Sequence, residues 1–361
     1  MSSNPINTHQ PSSSGGMSNS LFCCSLPDSY YSIDSEPTKV LLRFYGDQLS
    51  SCDISSQIEI FNLLSSKDLG PKLYGQFEDG RLEEFLPANS LTSEELMNDE
   101  ISSVIAKKMA SVHSLDAPIE RKKTWIMDKL NEWVESIDGN SKLTGLDKPV
   151  RHSTVDIVRQ LSVIDFKEEI KFLAGVFEKT RSPNVFSHND LHQGNILLAE
   201  CSKRRSSIAE RIVFIDFEYC SYNYRAYDIA NHFCEWCFEY DTPDYPHFTF
   251  FEKRFPSIDR QRDFIRHYLN QSKKLSAPIN NLRVIGNGGN GTTTGTDSAI
   301  NGHKFNGNCS EVTSDSEVEA LLEEVQPFFM VSNLLWTIWC IKNARSSTIN
   351  FGYWVSASWA L

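Results

Sequence analysis

Two different spacings of apolar residues divide this chain of 361 residues. In its first part the apolar runs are short and rich in aromatic or β-branched side chains, which predicts strands. These runs are residues 21–26, 39–45, 74–77 and 81–85. The last two flank Glu78-Asp-Gly, a typical hairpin turn. Residues 56–66 lie between the strands and predict a helix, with Ile60 and Leu64 on one face.

From Thr92 onward the apolar residues recur at helical spacing, as in Ile101, Ile105, Met109 and Val112. Further helices are predicted within residues 121–182, over 229–240, and over 317–344 with a break at Pro327. Strands followed by helices predict an α+β fold, and the length of the chain suggests two domains or lobes. The lobes are residues 15–86 and 87–361.

Two segments have compositions that do not support a packed core. Residues 1–14 are rich in Ser, Asn and Pro, and residues 275–316 are dominated by Asn, Gly, Ser and Thr. Both are predicted to be disordered, the second as a flexible insertion within the larger lobe.

A predicted hairpin carries the most informative polar residues. Its strands, 196–198 and 211–215, are separated by a basic polar turn. Asn195 precedes the first strand and Asp216 follows the second, so an antiparallel pairing brings their side chains together. An amide and a carboxylate oxygen suit Mg²⁺, which leaves its other positions to water and phosphate.

Asp190 lies five residues before Asn195, on the loop that enters the hairpin. There its carboxylate could accept a proton from a substrate hydroxyl, and the pattern Asp-x-x-x-x-Asn followed by a metal-binding Asp is that of kinases. Each residue alone is more simply explained as a turn residue. The whole set predicts phosphoryl transfer. Asp228, before the predicted helix 229–240, is expected to cap that helix and brace the loop.

This segment resembles the choline/ethanolamine kinase family, whose two signatures match Phe186-Ser-His-Asn-Asp-Leu and the stretch from Phe214-Ile-Asp-Phe-Glu-Tyr to Trp236. The resemblance continues in Gly15-Gly-Met-Ser-Asn, Lys39-Val-Leu-Leu-Arg-Phe-Tyr-Gly, Leu69-Gly-Pro-Lys-Leu-Tyr-Gly and Phe351-Gly-Tyr. It implies a protein-kinase-like bilobal fold and transfer of the ATP γ-phosphate to choline, ethanolamine or both. Phosphorylation of choline would be the first step of phosphatidylcholine synthesis by the CDP-choline route.

The resemblance also implies ATP-binding positions in the first lobe. Ser18 and Asn19 would contact the phosphates, and Arg43 would take the place of the kinase strand lysine. Glu84 and Leu86 would lie at the hinge, where adenine forms hydrogen bonds with the backbone. A kinase supplies a Glu partner for that cation from the next helix. Here Gln57 stands at the expected position.

For the substrate, the resemblance implies a pocket formed by Tyr219, Glu235, Tyr240, Trp336, Trp339 and Phe351. Trp336 and Trp339 are three residues apart and face the same way on a helix. Two parallel indoles could be ordinary core, or they could enclose a trimethylammonium group through cation–π contacts, as the resemblance implies. It further implies a homodimer.

Composition adds limits on partners and compartment. A net charge of −12 argues against a nucleic-acid binder and favours a cationic substrate weakly. The nine scattered cysteines and the absence of a signal peptide predict a reduced cytoplasmic protein. Cys234 and Cys237 are explained by packing, and the apolar stretch 328–341 is too short to span a membrane.

Two alternatives remain open. One is another phosphotransferase, for aminoglycosides or for proteins, against which Tyr222-Asn-Tyr-Arg and Asn231-His-Phe-Cys-Glu-Trp discriminate. The other is a truncated, weakly active or non-catalytic paralogue that serves as a dimer partner. The ends favour it, because few residues precede Gly15, residues 354–361 diverge from the family, and Ser356 replaces an expected pocket tyrosine. A first strand and a final helix are therefore expected to be missing. The intact candidate catalytic residues oppose this alternative.

Overall fold

The first part of the chain folds into an antiparallel sheet of five strands in the order β1-β2-β3-β5-β4. The computed structural model describes residues 7–9, 19–27, 29–30, 32–33, 36–45, 51–138, 154–202, 205–240, 242–277 and 312–359. The sheet comprises β1 (Asn7–His9), β2 (Asn19–Ser25), β3 (Lys39–Tyr45), β4 (Leu73–Phe77) and β5 (Gly80–Glu84), with α1 (Ser51–Ser66) after β3. The predicted β4-β5 hairpin is confirmed, and Phe77 pairs with Gly80.

The edge strand β1 corrects part of the prediction for residues 1–14. Asn7–His9 pair with β2, with Asn7 opposite Ser25 and His9 opposite Cys23. The composition misleads here because strand pairing uses backbone N–H and C=O groups, which polar residues supply as well as apolar ones. A strand therefore does precede β2. Residues 1–6 and 10–14 lie outside the described residues.

Helices dominate the rest of the chain. They are α2 (Ser93–Leu96), α3 (Asp99–His113), α4 (Trp125–Asp138), α5 (Val155–Ser162), α6 (Phe166–Lys179), α7 (Ile208–Arg211), α8 (Arg225–Glu235), α9 (Ile258–Ser276), α10 (Asp315–Val325), α11 (Phe328–Ser346) and α12 (Tyr353–Trp359). Short strands lie among them: β6 (Ala88–Ser90), β7 (Asn184–Ser187), β8 (Ile196–Ala199), β9 (Ile212–Phe214), β10 (Ser221–Tyr224), β11 (Phe238–Tyr240) and β12 (Phe248–Phe250). The strands pair as β6-β8-β9, β7-β10 and β11-β12.

Helix α3 shows how the sequence sets an element and its buried face. Asn98 caps it by accepting from the N–H groups of Glu100 and Ile101, at 3.0 and 3.1 Å. The predicted stripe is confirmed, since Ile101, Ile105, Met109 and Val112 are all buried. The helix packs against α9 and also contacts β7, the strand that leads into the loop carrying Asp190.

Helix α11 is apolar on all sides because it lies in the middle of the helical lobe. It packs against α4, α8 and α12, and side chains on all its sides are buried, among them Phe328, Thr337, Ile338 and Cys340. Full burial of a large apolar side chain such as Phe328 or Ile338 contributes about 1.5–3 kcal/mol. None of the described helices is both long enough and apolar enough to cross a membrane.

The structure corrects the expectation that a final helix is missing, and it moves the ends of the predicted insertion by two residues. Residues 353–359 form α12, which buries Tyr353, Trp354 and Ala357 against the lobe, so a final helix is present. Helix α9 continues to Ser276 and α10 starts at Asp315, two residues inside each end of the predicted insertion. Residues 278–311 lie outside the described residues.

Candidate active site

The predicted hairpin is present, and it brings Asn195 to Asp216. Ile196 pairs with Phe214 across β8 and β9, and Ile215 N–H donates to the Asn195 carbonyl at 3.0 Å. Asp216 is the next residue. One detail differs: Arg211 ends helix α7 instead of starting the second strand. Ser207 and Glu210 cap this short helix reciprocally, so side-chain hydrogen bonds override the strand-like pattern there.

Asp190 lies beside Asn195. The Asn195 amide donates to the Asp190 carbonyl at 2.9 Å and to its carboxylate at 3.2 Å. Burial raises the pKa of Asp190 well above its usual value, and the nearby charges of Glu235, Asp216 and Glu218 raise it further. Three further carboxylates therefore lie close enough to Asp190 for their charges to act on it, which makes this region electronegative.

Asp228 holds the loop that carries Asp190. Its carboxylate is fully buried and accepts from the backbone N–H groups of His188, at 3.0 Å, and Asn189, at 2.7 Å. The predicted brace is confirmed, but the predicted cap is wrong, because α8 starts at Arg225, with Tyr224 at the cap position. Asp228 lies within the first turns of the helix and points at the loop.

A histidine that sequence reasoning missed completes this support. His113 on α3 donates from Nε2 to Asp228 at 2.9 Å, because a carboxylate can only accept. Its Nδ1 meets the Tyr268 hydroxyl of α9 at 2.8 Å. All three side chains are buried. A lone histidine on an apolar helix face gives no signal of this role in the sequence.

The backbone takes left-handed conformations at two points of the site. Asn189 has a φ of 67° and Asp216 a φ of 62°. Asn and Asp tolerate this region better than other residues with a side chain, and its cost is about 1–3 kcal/mol each. Hydrogen bonds offset part of the cost at Asn189, whose amide donates to the Tyr219 carbonyl at 2.9 Å and accepts from Asn223 at 2.8 Å.

His192 is a second residue that sequence reasoning missed. It lies in the same loop as Asp190, and its ring packs edge-to-face on Tyr240, with centroids 5.5 Å apart. Its Nδ1 accepts the Gly194 backbone N–H at 3.0 Å. Burial and the charge of His188 lower the pKa of His192 to about 4, so the imidazole is neutral at pH 7.

The five predicted aromatic residues form one cluster, which we call the aromatic cluster: Tyr219, Tyr240, Trp336, Trp339 and Phe351. Tyr219 contacts Trp336 at a centroid distance of 5.8 Å, and Trp336 contacts Trp339 at 5.6 Å. The two indoles are edge-to-face at 77° instead of parallel. All five rings are half-buried, unlike core aromatics such as Phe233.

Hydrogen bonds fix the two tryptophans. Trp336 donates to the Asn231 side chain at 2.6 Å, and Trp339 donates to the Tyr219 hydroxyl at 3.1 Å. Tyr353 connects the two parts of the cluster, because its ring lies 5.9 Å from Trp339 and 4.9 Å from Phe351, and Phe351 lies 6.5 Å from Tyr240. With both indole N–H groups satisfied, the ring faces remain the interacting surfaces.

Glu235 is the acidic member of this region. The Tyr240 hydroxyl donates to it at 2.9 Å. Burial raises the pKa of Glu235 to about 7, although that hydrogen bond lowers it. The prediction that Tyr240 belongs to a helix is wrong. Helix α8 ends at Glu235, and Tyr240 lies on β11, which pairs with β12.

Arg43 forms an ion pair with a carboxylate that does not come from the helical position expected in a kinase. It donates from Nε to Glu83 at 2.7 Å, and Arg81 donates to the same oxygen at 2.7 Å. Glu83 is buried on β5, so the carboxylate comes from the neighbouring strand instead of position 57 on α1. Arg43 also lies close enough to Asp216 and Glu218 to feel their charges.

The other predicted ATP-binding residues are placed as follows. Ser18 lies outside the described residues, and the backbone of Asn19 pairs with Tyr45 at the start of β2. Glu84 ends β5 and binds Arg205 through two hydrogen bonds of 2.8 and 3.1 Å. Leu86 follows, half-buried, between β5 and β6. The Glu84 and Leu86 positions therefore join the sheet to the helical lobe.

The sequence profile of the choline/ethanolamine kinase family matches residues 12–360. The chain belongs to this family. A human choline/ethanolamine kinase is 35% identical to it over 94% of this chain and 75% of its own length. Mouse choline kinase alpha is 36% identical over 94% of this chain and 71% of its own length.

Solved choline and ethanolamine kinases share the fold of this family member. A choline kinase from Cryptosporidium parvum covers 98% of this chain, and 87% of that chain is matched, with a TM-score of 0.66 and 22% identity. An ethanolamine kinase from Plasmodium vivax also covers 98% of this chain, with 80% of its own matched, a TM-score of 0.63 and 21% identity. The fold is therefore the protein-kinase-like bilobal fold predicted from the sequence.

Proposed function

We propose that this choline/ethanolamine kinase transfers the γ-phosphoryl group of ATP to the hydroxyl of choline, with some activity on ethanolamine. The observation that carries the proposal is the position of Asp190. It lies beside Asn195 and within electrostatic reach of both Asp216 and Glu235, and so joins oxygens suited to a metal-bound nucleotide to the aromatic cluster. No observation favours a non-catalytic role.

Asp190 is the proposed base and hydroxyl-orienting group. A carboxylate with a raised pKa is a stronger proton acceptor, and the Asn195 amide fixes its orientation. The hydroxyl oxygen forms a bond to the γ-phosphorus while the bond between the γ-phosphorus and the bridging oxygen breaks, and that oxygen leaves with ADP. The hydroxyl proton passes to Asp190. Positioning contributes most of the catalysis in such a reaction, which explains why Asp228 holds the loop so firmly.

Asn195 and Asp216 are the proposed ligands of Mg²⁺. The described residues hold no group of three or more His, Cys, Asp or Glu side chains placed to bind a metal ion, but Mg²⁺ needs only one or two protein oxygens when phosphates and water complete its shell. The side-chain nitrogen of Asn195 donates hydrogen bonds to Asp190, which leaves the side-chain oxygen of Asn195 for the metal. Bound Mg²⁺ would neutralise charge on the phosphates.

Arg43, Ser18 and Asn19 are proposed to contact those phosphates, and the backbone at Glu84 and Leu86 to bind adenine.

The aromatic cluster and Glu235 are proposed to bind the ammonium group. Ring faces attract a quaternary cation without needing hydrogen-bond acceptors, whereas a primary ammonium would lose hydrogen bonds there. Choline is therefore expected to be the better substrate. A coupled assay with choline and ethanolamine side by side tests the proposal, and a lack of turnover with both would contradict it.

Changing Trp336 or Trp339 to Ala should raise the choline KM most among single changes in the cluster. A cation–π contact contributes about 0.5–2 kcal/mol, so we expect a roughly 3- to 30-fold increase for each. Steady-state kinetics on folded variants measures it. Trp359→Ala is the matched control, because that ring is 52% exposed on α12. An unchanged KM in both variants would make the two tryptophans structural only.

Choline binding should weaken as the pH falls below about 7, the pKa of Glu235. Choline itself does not titrate, and the ionised carboxylate is the form that attracts it. Below that pKa the Kd should rise by at most about tenfold per pH unit and level off near the value of Glu235→Gln. Quenching of tryptophan fluorescence between pH 6 and 8 measures the Kd. Glu235→Gln should bind weakly with a flat profile, and an equally steep profile in that variant would assign the titration to another group.

Three further properties remain predictions. A homodimer is expected, and light scattering after size-exclusion chromatography would test it. The division into lobes at residue 86 falls between β5 and β6. A reducing compartment such as the cytoplasm agrees with the cysteines described as free, which are Cys23, Cys24, Cys201, Cys220, Cys234, Cys237 and Cys340.

A further inference from the structure

His192 joins the two halves of the proposed site, yet the mechanism above gives it no task. It follows Asp190 by two residues, and its ring packs on Tyr240 of the aromatic cluster. The side chains of His192 and Asp190 are 25% and 18% exposed, so neither is sealed from the cleft between these groups. A polar ring in this position can reach a substrate held by its neighbours.

The orientation of the ring follows from one hydrogen bond. The Gly194 backbone N–H donates to Nδ1 at 3.0 Å, and a nitrogen that accepts carries no proton. The proton of the neutral ring is therefore on Nε2. Nε2 lies 3.9 Å from the nearest Asp190 oxygen, beyond the hydrogen-bond limit of about 3.2 Å. The Nε2–H thus lies beside the catalytic carboxylate without bonding to it.

Gly194 makes this orientation possible. A Cβ atom at position 194 would lie 2.6 Å from His192 Cε1 and 3.0 Å from Nδ1, both closer than van der Waals contact allows. The three nearest atoms to that Cβ all belong to the imidazole. The glycine therefore provides the space in which the ring lies over its own loop.

We propose that His192 is a catalytic residue whose Nε2–H donates a hydrogen bond to a non-bridging oxygen of the phosphoryl group during transfer. The proposal rests on the proposed function. A lone pair of the alcohol oxygen forms the new bond to phosphorus, and the electron pair of the old bond leaves with ADP. The alcohol proton passes to Asp190, and His192 keeps its own. A neutral donor stabilises the negative charge on the phosphoryl oxygens without repelling a cationic substrate, as Lys or Arg would.

Two substitutions separate hydrogen bonding from packing. His192→Phe keeps a ring against Tyr240 but removes the donor, and His192→Gln keeps an amide N–H. We expect kcat to fall about 10²–10³-fold in His192→Phe, with KM for choline and ATP changed little, and to recover at least about tenfold in His192→Gln. His267→Gln on α9 is the matched control and should have wild-type kinetics.

Binding of a transition-state analogue gives an independent readout. ADP with aluminium fluoride and choline should bind His192→Phe more weakly by about the factor lost in kcat, while ADP alone and choline alone bind as in the wild type. A purely structural role would weaken all three complexes together. That result, or a kcat of His192→Phe within about threefold of the wild type, would overturn the proposal.

A double-mutant cycle tests the role of Gly194. Gly194→Ala should lower kcat by displacing the ring, but it should have little further effect in a His192→Ala background, because the clash is then absent. Additive effects would overturn the proposed role of Gly194.

If the wild type phosphorylates neither choline nor ethanolamine, the proposed function fails on its own. The His192 variants are then compared in hydrolysis of Mg-ATP, where water replaces the alcohol.

Discussion

Replacing Asp190 with Asn is expected to lower kcat by about 10²–10⁴-fold while Mg-ATP binding stays close to that of the wild type. Asn keeps the shape of the side chain but cannot accept the hydroxyl proton. It also presents a poorer acceptor to the Asn195 amide, which lies 3.2 Å from the carboxylate. Turnover at saturating choline measures the first effect, and nucleotide titration of the free enzyme measures the second.

The matched control is Asp156→Asn, an exposed carboxylate paired with Arg159 on the surface. It should have wild-type turnover, since surface changes of this kind shift stability by only about 0.5 kcal/mol. Near-wild-type turnover in Asp190→Asn would remove Asp190 from the mechanism. Loss of Mg-ATP binding in the same variant would instead assign Asp190 to the metal.

Replacing Asp228 with Ala should destabilise the protein by at least about 3 kcal/mol and lower kcat as well. The change leaves the N–H groups of His188, Asn189 and His113 buried without an acceptor. Each orphaned group costs about 1–3 kcal/mol, a large share of a total stability of about 5–15 kcal/mol. Thermal melting and kcat are the measurements, with Asp156→Ala as the exposed control.

The milder variant Asp228→Asn covers the case in which Asp228→Ala does not fold. It keeps one oxygen acceptor, so its melting temperature should lie between those of the wild type and Asp228→Ala.

The same variant tests a dependence of stability on pH. Burial alone would raise the pKa of Asp228, but the hydrogen bond and charge of His113 lower it below its usual value. The stability from this lowered pKa is present above the unfolded value of about 3.9 and is lost as the pH falls through the folded value. Asp228→Asn should lose that acid dependence, and an unaltered acid profile would show that other carboxylates produce it.

The parts of the site that follow from short-range pattern could be predicted from the sequence. Asn195 and Asp216 meet because two short apolar runs pair as neighbouring strands, and pairing of adjacent segments follows from local pattern. The stripe of α3 and the break at Pro327 follow from helical periodicity and from the missing N–H of proline. The aromatic cluster, by contrast, joins four separate segments, and it was anticipated through family resemblance alone.

Two of the failures come from strand pairing that the spacing of apolar residues does not reveal. Tyr240 continues the apolar spacing of α8, yet residues 238–240 pair with 248–250, and the helix ends at Glu235 without a Gly or Pro to mark it. Glu83 reaches Arg43 because β3 and β5 are neighbours with Arg43 opposite Arg81. Such a register depends on tertiary contacts that propensities do not encode.

The position of Glu83 within the sheet has a consequence for how the Arg43 ion pair responds to movement of α1. In protein kinases the strand cation pairs with a Glu on a helix, and movement of that helix switches activity on and off. Here both partners lie in adjacent strands, so a shift of α1 leaves the ion pair intact. The Arg43–Glu83 ion pair is therefore in place whenever the sheet is folded.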